Sequence, residues 1–185
     1  MMKPGSRIES LQLVEKACWQ GLVDAAGQRG HEWRTQVLAS VDGERADARI
    51  LILREVDVAA RQLVFFTDNR SPKVAQIATH PGGTLLAWSA SLFWQLRMQV
   101  ALRLETDGLE ASSRWARLKL SPAATDYLSP LPPGTPVDRV TPDRASRSHF
   151  AVLVAAVESI DWLELHADGH RRARFDASGA RWLQP

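Results

Sequence analysis

Residues 48–73 read ARILILREVDVAARQLVFFTDNRSPK, and two strands, a short loop and a helix start are legible in them. The apolar run Ile50–Leu53, bounded by Arg49 and Arg54, predicts a strand over Ala48–Val56. Gln62–Thr67 predicts a second, with aromatic and β-branched residues suited to a half-buried sheet. Asp68–Pro72 then breaks the pattern. Ser71 suits a helix N-cap, Pro72 suits a first helical position that needs no N–H, and Lys73–Thr79 continues as a short helix. A cation at the start of an otherwise buried strand is costly unless an anion meets it. Thr67, Arg70, Ser71 and Lys73 gather where a helix N-terminus favours negative charge. If the two strands pair through the loop at Asp57–Arg61, Arg49 approaches the same place. The chemistry suggests a phosphomonoester, although one basic turn alone also describes a solvated surface.

Outward from this stretch the pattern alternates between short strands and isolated helices. Ile8, Leu11, Val14, Cys18 and Leu22 recur at helical spacing and predict a helix from about Arg7 to Ala26, ended by Gly27 and Gly30. Trp33–Val41 alternates as a strand, and Asp42-Gly43 is a hairpin-type turn. Further strands are predicted at Thr84–Ser89, about Phe93–Glu105, Phe150–Leu165 and Arg171–Asp176. Helical spacing returns at Glu110–Leu120, and Ser121-Pro122 can cap a last short helix ending near Tyr127. Ser129–Ser148, with Pro130, Pro132, Pro133, Pro136 and Pro142, reads as a long loop. The expected class is mostly β: an antiparallel sheet or barrel with helical additions, in one domain over residues 1–185. Its expected parts are an N-terminal helix at about 7–27, a barrel at about 33–107 and 150–184, and a helical insertion with the Pro-rich loop at about 109–148.

Composition removes several function classes. The 185 residues carry 45% hydrophobic and 24% charged side chains, enough for a packed core. The single cysteine, Cys18, excludes an intrachain disulfide and a cysteine-based zinc site, and its place on the apolar side of a helix suggests packing. His31, His80, His149, His166 and His170 form no HxH or HExxH pattern, so no metal is expected. The 23 basic residues nearly balance 21 acidic ones and are scattered, which argues against a nucleic-acid surface. No apolar run reaches the ~20 residues of a membrane span, and the first residues lack a signal peptide's apolar core. A cytoplasmic protein without membrane partner is the expectation. GxSxG, GxGxxG and P-loop patterns are missing, and no catalytic side chain is named.

Arg49-x-x-x-Leu53-x-x-x-Asp57, Phe65-Phe66-Thr67-Asp68-x-x-Ser71-x-Lys73-x-x-Gln76-Ile77, the later Pro81, Leu85-Leu86-x-Trp88 and Gln95-Leu96-Arg97 occur in an order that resembles the FMN-binding core of the pyridoxamine 5′-phosphate oxidase family. The ordered match runs from about Arg34 to Asp107, and Phe150–Phe175 resembles the C-terminal strands more weakly. The resemblance implies a split β-barrel that binds FMN between the subunits of a homodimer, and a flavin-dependent oxidoreductase. It implies that Arg49 and Lys73 hold the FMN phosphate, helped by Thr67 and Ser71, with Arg54 at the family's lysine and Arg70 standing in for a second basic residue where this chain has Pro72. The backbone of Ile50, Leu51 and Ile52 would run along the isoalloxazine. Phe66 would pack near it, Gln95 would bond it from either subunit, and Arg174 would lie near flavin N1.

The departures fall in the substrate half. His170-Arg171-Arg172 stands where the family has Arg-x-His, Trp162 is one residue away from the expected tryptophan position, now Leu163, and Arg114–Lys119 does not align. An altered substrate is therefore expected, near Trp115, His170, Arg172 and the Pro-rich loop, with a true pyridoxamine phosphate oxidase and a non-catalytic flavin or redox-partner protein as alternatives.

Overall fold

The computed structural model describes residues 7–139 and 149–185. The chain opens with helix α1, Leu11–Gly27, and a 3-10 turn at Glu32–Arg34. Strands β1 (Thr35–Asp42), β2 (Arg45–Asp57) and β3 (Gln62–Asp68) lead to helix α2 (Pro72–Thr79), followed by β4 (Gly82–Ser89) and β5 (Trp94–Glu105). Helix α3 (Gly108–Leu118) and a 3-10 turn at Pro122–Tyr127 precede β6 (Phe150–Glu164), β7 (Arg171–Asp176) and β8 (Gly179–Leu183). The expected helix start at Arg7 is corrected to Leu11, because Ser10 turns extended and its hydroxyl accepts the N–H of Leu13. Strand β8 has no counterpart in the sequence reading. The Pro142 end of the long loop lies outside the described residues.

All pairings are antiparallel, in the order β3-β2-β1-β4-β5-β6-β7-β8, and β3 also pairs with β6. That last pairing closes β1 to β6 into a barrel. β6 is 15 residues long and changes partner along its length. Its first half, Phe150–Ala156, pairs with β3, while Ser159–Glu164 pairs with β7. At the changeover the register with β5 shifts between Gln99 and Val100, a bulge that bends the strand as it leaves one neighbour for the next. The barrel is therefore split: closed at one end of β6, flared at the other.

Alternation places Leu38, Leu51, Leu53, Leu63, Phe65, Leu85, Leu96, Met98, Leu153 and Ile160 inside. One end is covered by α1 through Val14, Cys18, Trp19 and Leu22, packed with Trp33. Gly21 is required there, since a Cβ would stand 2.4 Å from the Trp33 ring. Burial pushes the Cys18 thiol far up, so it is an inert packing group. A second cluster lies outside the barrel, where α3 and the following 3-10 turn cover β3 and β6 through Ala111, Trp115, Leu118 and Tyr127 over Val64, Phe150, Val152 and Val154.

Glu164 joins the chain's two ends. Its buried carboxylate accepts from Arg7 (2.6 and 2.9 Å), Arg171 (2.9 and 3.1 Å) and Trp94 Nε1 (3.3 Å), while Arg171 also donates to the Ile8 carbonyl. Burial alone would raise the Glu164 carboxyl, but the bonds from Arg171 and Arg7 outweigh it and hold it below the usual range. A depressed carboxyl stabilises the fold above its unfolded pKa and loses that contribution as pH falls through the folded value. Glu164→Ala leaves two arginines without their anion and is expected to cost about 3 kcal/mol in urea unfolding. The variant should also show a flatter loss of stability below about pH 4.3, where the unfolded carboxyl begins to protonate.

Candidate functional site

β2 begins at Arg45, so Arg49 lies within the strand rather than at its start, and faces the β1 side opposite Leu38. This corrects the expected strand boundary, and the cost of placing a cation there is met by a polar shell. Arg49 donates to Ser40 Oγ (2.6 Å), Gln76 Oε1 (2.8 Å) and Asp47, and more weakly to the Leu38 carbonyl (3.4 Å). Gln76 in α2 also donates to Asp47 at 2.9 Å and accepts from the Ser40 hydroxyl at 2.7 Å. Helix α2 thereby closes the polar end of the barrel over Arg49.

Lys73 is adjacent. Its ammonium donates to Thr67 Oγ1 at 2.9 Å and Ser71 Oγ at 2.6 Å, both neutral, both on buried residues. Ser71 occupies the N-cap position of α2, but its side chain makes no capping bond and serves Lys73 instead. Burial, and then the neighbouring Arg49 charge, push the Lys73 ammonium below its ordinary pKa, against a weaker opposite pull from Asp68 and Asp47. Lys73 forms no ion pair among the described residues. It is a half-buried cation beside another cation.

Arg70 is placed differently from the expectation. It forks onto Asp68 at 2.7 and 3.0 Å and donates to the carbonyls of Ser129 and Pro130, tying the long loop to β3. Burial would raise the Asp68 carboxyl, but Arg70 holds it below the usual range. The charge of Arg70 is committed to that pair, so it does not supply the second free cation that Pro72 lacks.

Leu51 points into the core, while Ile50 is 64% exposed and Ile52 half-buried on the outer face. The pairing of β2 with β3 begins only at Leu53, which leaves the β3 side of residues 45–52 without a strand partner. Free backbone polar groups thus border the Arg49–Lys73 cluster.

Gln95 and Arg174 lie elsewhere. Gln95 stands on β5 between Trp88 and Leu163, and Leu163 is paired with Arg172. Arg174 is opposite Asp161 on β6, whereas Thr67 is opposite Ala151. Ten residues of strand, about 33 Å, separate those two positions along β6. Arg174 donates to Asp176, and Arg172 forks onto the buried Asp161 at 2.7 and 2.9 Å, a carboxylate shared with Arg97. His170 sits in an exposed turn, its Nδ1 accepting the His166 N–H. Trp162 points into the core with its ring fully buried, so the outward place is held by Leu163. Trp115 packs on Phe150, 5.5 Å between ring centroids. The expected substrate group of Trp115, His170 and Arg172 is therefore not brought together in one chain: α3 covers the first half of β6, and β7 pairs with the second.

A pocket missed by the sequence reading lies on the outer face. About 270 Å³ in volume, it is lined by Arg54, Glu55, Phe66, Arg114, Arg117, Leu118 and Ser121. The β2–β3 register steps from Leu53 opposite Phe65 to Glu55 opposite Val64, so Arg54 is the extra residue of a bulge. Its guanidinium lies 5.6 Å from the Phe66 ring centroid, and its Nε is buried without a partner. Tyr127 is beside it: burial raises the phenol, and the Arg54 charge pulls against that. Arg114, Arg117 and Ser121 occur at intervals of three and four, the one sequence signal that marks them as a single face.

No family model matches the sequence. The eight-stranded antiparallel sheet with its split closure is the fold of the split-barrel proteins related to pyridoxamine 5′-phosphate oxidase. A pyridoxamine 5′-phosphate oxidase-related, FMN-binding protein from Nostoc punctiforme superposes with a TM-score of 0.70 at 23% identity, over 97% of this chain and 99% of that one. PhzG from Burkholderia lata, solved with tetrahydrophenazine-1-carboxylic acid, gives 0.71 at 18% identity, over 100% and 98%.

In sequence the chain is similar to curated pyridoxine/pyridoxamine 5′-phosphate oxidases. It is 27% identical to that of Granulibacter bethesdensis over 89% of this chain and 85% of the relative. The Thermosynechococcus vestitus enzyme is 41% identical over 80 residues, which span 42% of this chain and 36% of the relative.

The Lys73 geometry makes a prediction that needs no ligand. A cation held in the fold below its ordinary pKa opposes folding while protonated. Lys73→Met is therefore expected to melt at or above the wild-type temperature in a buffer without phosphate or sulfate. A fall of more than a few degrees in calorimetry would show that the ammonium is a structural tie.

Proposed function

We propose that the chain is an FMN-dependent oxidoreductase, working as a homodimer with flavin between the subunits, whose substrate carries an anionic group. One observation carries this reading: the Lys73 ammonium, half-buried, beside Arg49 and bonded only to neutral hydroxyls. A phosphate monoester dianion satisfies that arrangement, accepting charge-assisted bonds from Lys73 and, in competition with the half-exposed Asp47, from Arg49, with further bonds from Thr67 and Ser71. The donor set thus fits an FMN phosphate, and the unpaired edge of Ile50–Ile52 offers amide groups to the ring. When bound, the flavin supplies two-electron redox chemistry that no side chain here can.

The dimer is supported by the distance between Arg174 and the Lys73 cluster along β6. Both serve one flavin only if a second copy brings Gln95 and Arg174. Exposed Ile50, Leu86 and Trp88 give the outer face of β2 and β4 an apolar surface for that copy.

The anionic end of the substrate is assigned to the pocket of Arg54, Arg117 and Ser121. Arg114 is neutralised by Glu55 and Glu110, whereas Arg54 has no carboxylate among the described residues and Arg117 only a 3.6 Å approach to Glu55. An altered substrate is supported by the turn that engages His170 and by the Asp161 fork on Arg172. The same anion pocket favours a second reading, a true pyridoxamine 5′-phosphate oxidase.

Purified protein is expected to be yellow and to release a chromophore with the mass of FMN. Lys73→Ala should weaken FMN binding by about 2 kcal/mol, roughly thirtyfold. A colourless protein that stays colourless with added FMN refutes the proposal. Peroxide production from pyridoxamine 5′-phosphate and dioxygen decides for the second reading.

A further inference from the structure

We infer that Glu55 is a positioning residue: together with the bulge at Arg54 it aligns helix α3 so that Arg117 and Ser121 face Arg54 across the anion pocket. The inference rests on the pocket reading above and adds how that pocket is assembled.

In an unbroken strand Arg54 and Glu55 would point to opposite faces. The extra residue in β2 lets both reach the outer face, Glu55 beside Val64 and Arg54 over Phe66. From there Glu55 Oε2 accepts Arg114 Nε at 3.0 Å and Nη2 at 2.8 Å, and its Oε1 lies 3.6 Å from Arg117 Nη2. Two donors of one guanidinium converge on a single carboxylate oxygen, which ties the rotation of the helix and its position along its axis to β2. Arg117 follows on the same face, and Ser121 stands just past the helix end, its N–H on the Leu118 carbonyl, so the grip also aims them.

Helix α3 has little else to locate it. Asp107 makes no side-chain cap, and Leu109 and Leu120, at its two ends, are more than 80% exposed. Its apolar contacts with the sheet pass through Ala111, Trp115 and Leu118. Those contacts are non-directional; the Glu55–Arg114 pair supplies direction. The same carboxylate neutralises Arg114 and leaves Arg54 and Arg117 to the ligand.

The sign of one substitution separates positioning from simple electrostatics. Glu55→Gln removes a negative charge beside an anion site, so a charge effect alone would tighten anion binding. Misalignment of α3 would weaken it. Inorganic phosphate is titrated calorimetrically into protein saturated with FMN, at a temperature where circular dichroism shows every variant folded.

Glu55→Gln is expected to weaken phosphate about tenfold with flavin content unchanged. Arg114→Lys, which keeps charge but loses the fork, should act in the same direction and serves if Glu55→Gln does not fold. Combining Glu55→Gln with Arg117→Ala should lose less than the sum of the two single losses, because Glu55 acts through the helix that carries Arg117. Unchanged or tighter binding in Glu55→Gln, or additive losses in the double variant, would overturn the inference. If Arg54→Ala and Arg117→Ala both leave phosphate binding unchanged, the pocket reading itself fails.

Discussion

The change of partner along β6 governs the architecture. A strand of 15 residues cannot keep β3 beside it throughout, since β3 has seven. Where β3 ends, β7 takes over, and the bulge opposite Gln99 and Val100 accommodates the turn. The first half of β6 closes the barrel, and its outer face is covered by α3. The second half spreads into a sheet with β7 and β8, its inner face filled by Trp162 against Trp94, with centroids 5.1 Å apart. Glu164 then joins this flared end to the start of the chain. A separation of cationic groups follows directly: Lys73 and Arg49 belong to the closed end, Arg172 and Arg174 to the flared one.

What was legible in the sequence was local. The strand alternation of β2 and β3, the Pro72 helix start and the proximity of Thr67, Ser71 and Lys73 all lie within a few residues of one another. Covalent connection there does most of the placing. β8 was missed because its residues are largely exposed and carry no apolar period. The bulge was missed because it is a property of the pairing with Val64 and Phe65, not of the residues Arg54-Glu55 themselves. The start of β2 was misplaced at Ala48 for a related reason. Its first residues are exposed and polar, and only the hairpin pairing of Asp42 with Arg45 extends the strand that far.

The candidate site divides in the same way. Arg114 and Arg117 share a helical face and Ser121 follows just past the helix end, but which strand they meet depends on the docking of α3, a long-range event. Arg172 was placed with Trp115 because both were free to approach in a sequence without topology. The partner change of β6 separates them. Gln76 entered the sequence reading only as a position of the resemblance, with no role attached, yet it bonds Arg49, Asp47 and Ser40, and makes a buried polar barrel end possible.

Arginine abundance alone says little about anion binding, because most of these guanidinium groups have their charge answered within the chain. Arg70 has Asp68, Arg114 has Glu55 and Glu110, Arg172 has Asp161, and Arg174 and Arg181 share Asp176. A cation whose carboxylate is already in place gains less from a ligand, which must compete with that partner. Lys73 meets only hydroxyls, and Arg54 meets aromatic rings and a phenol that burial keeps protonated. Neutral acceptors orient a cation without discharging it. The distinction is physical rather than one of residue type, and it marks Lys73, at the closed barrel end beside a free strand edge, and Arg54, across the bulge beneath α3; Arg34, held by the carbonyls of Ala25 and Ala26, shares it. Two such positions are what the proposed phosphorylated cofactor and anionic substrate would need.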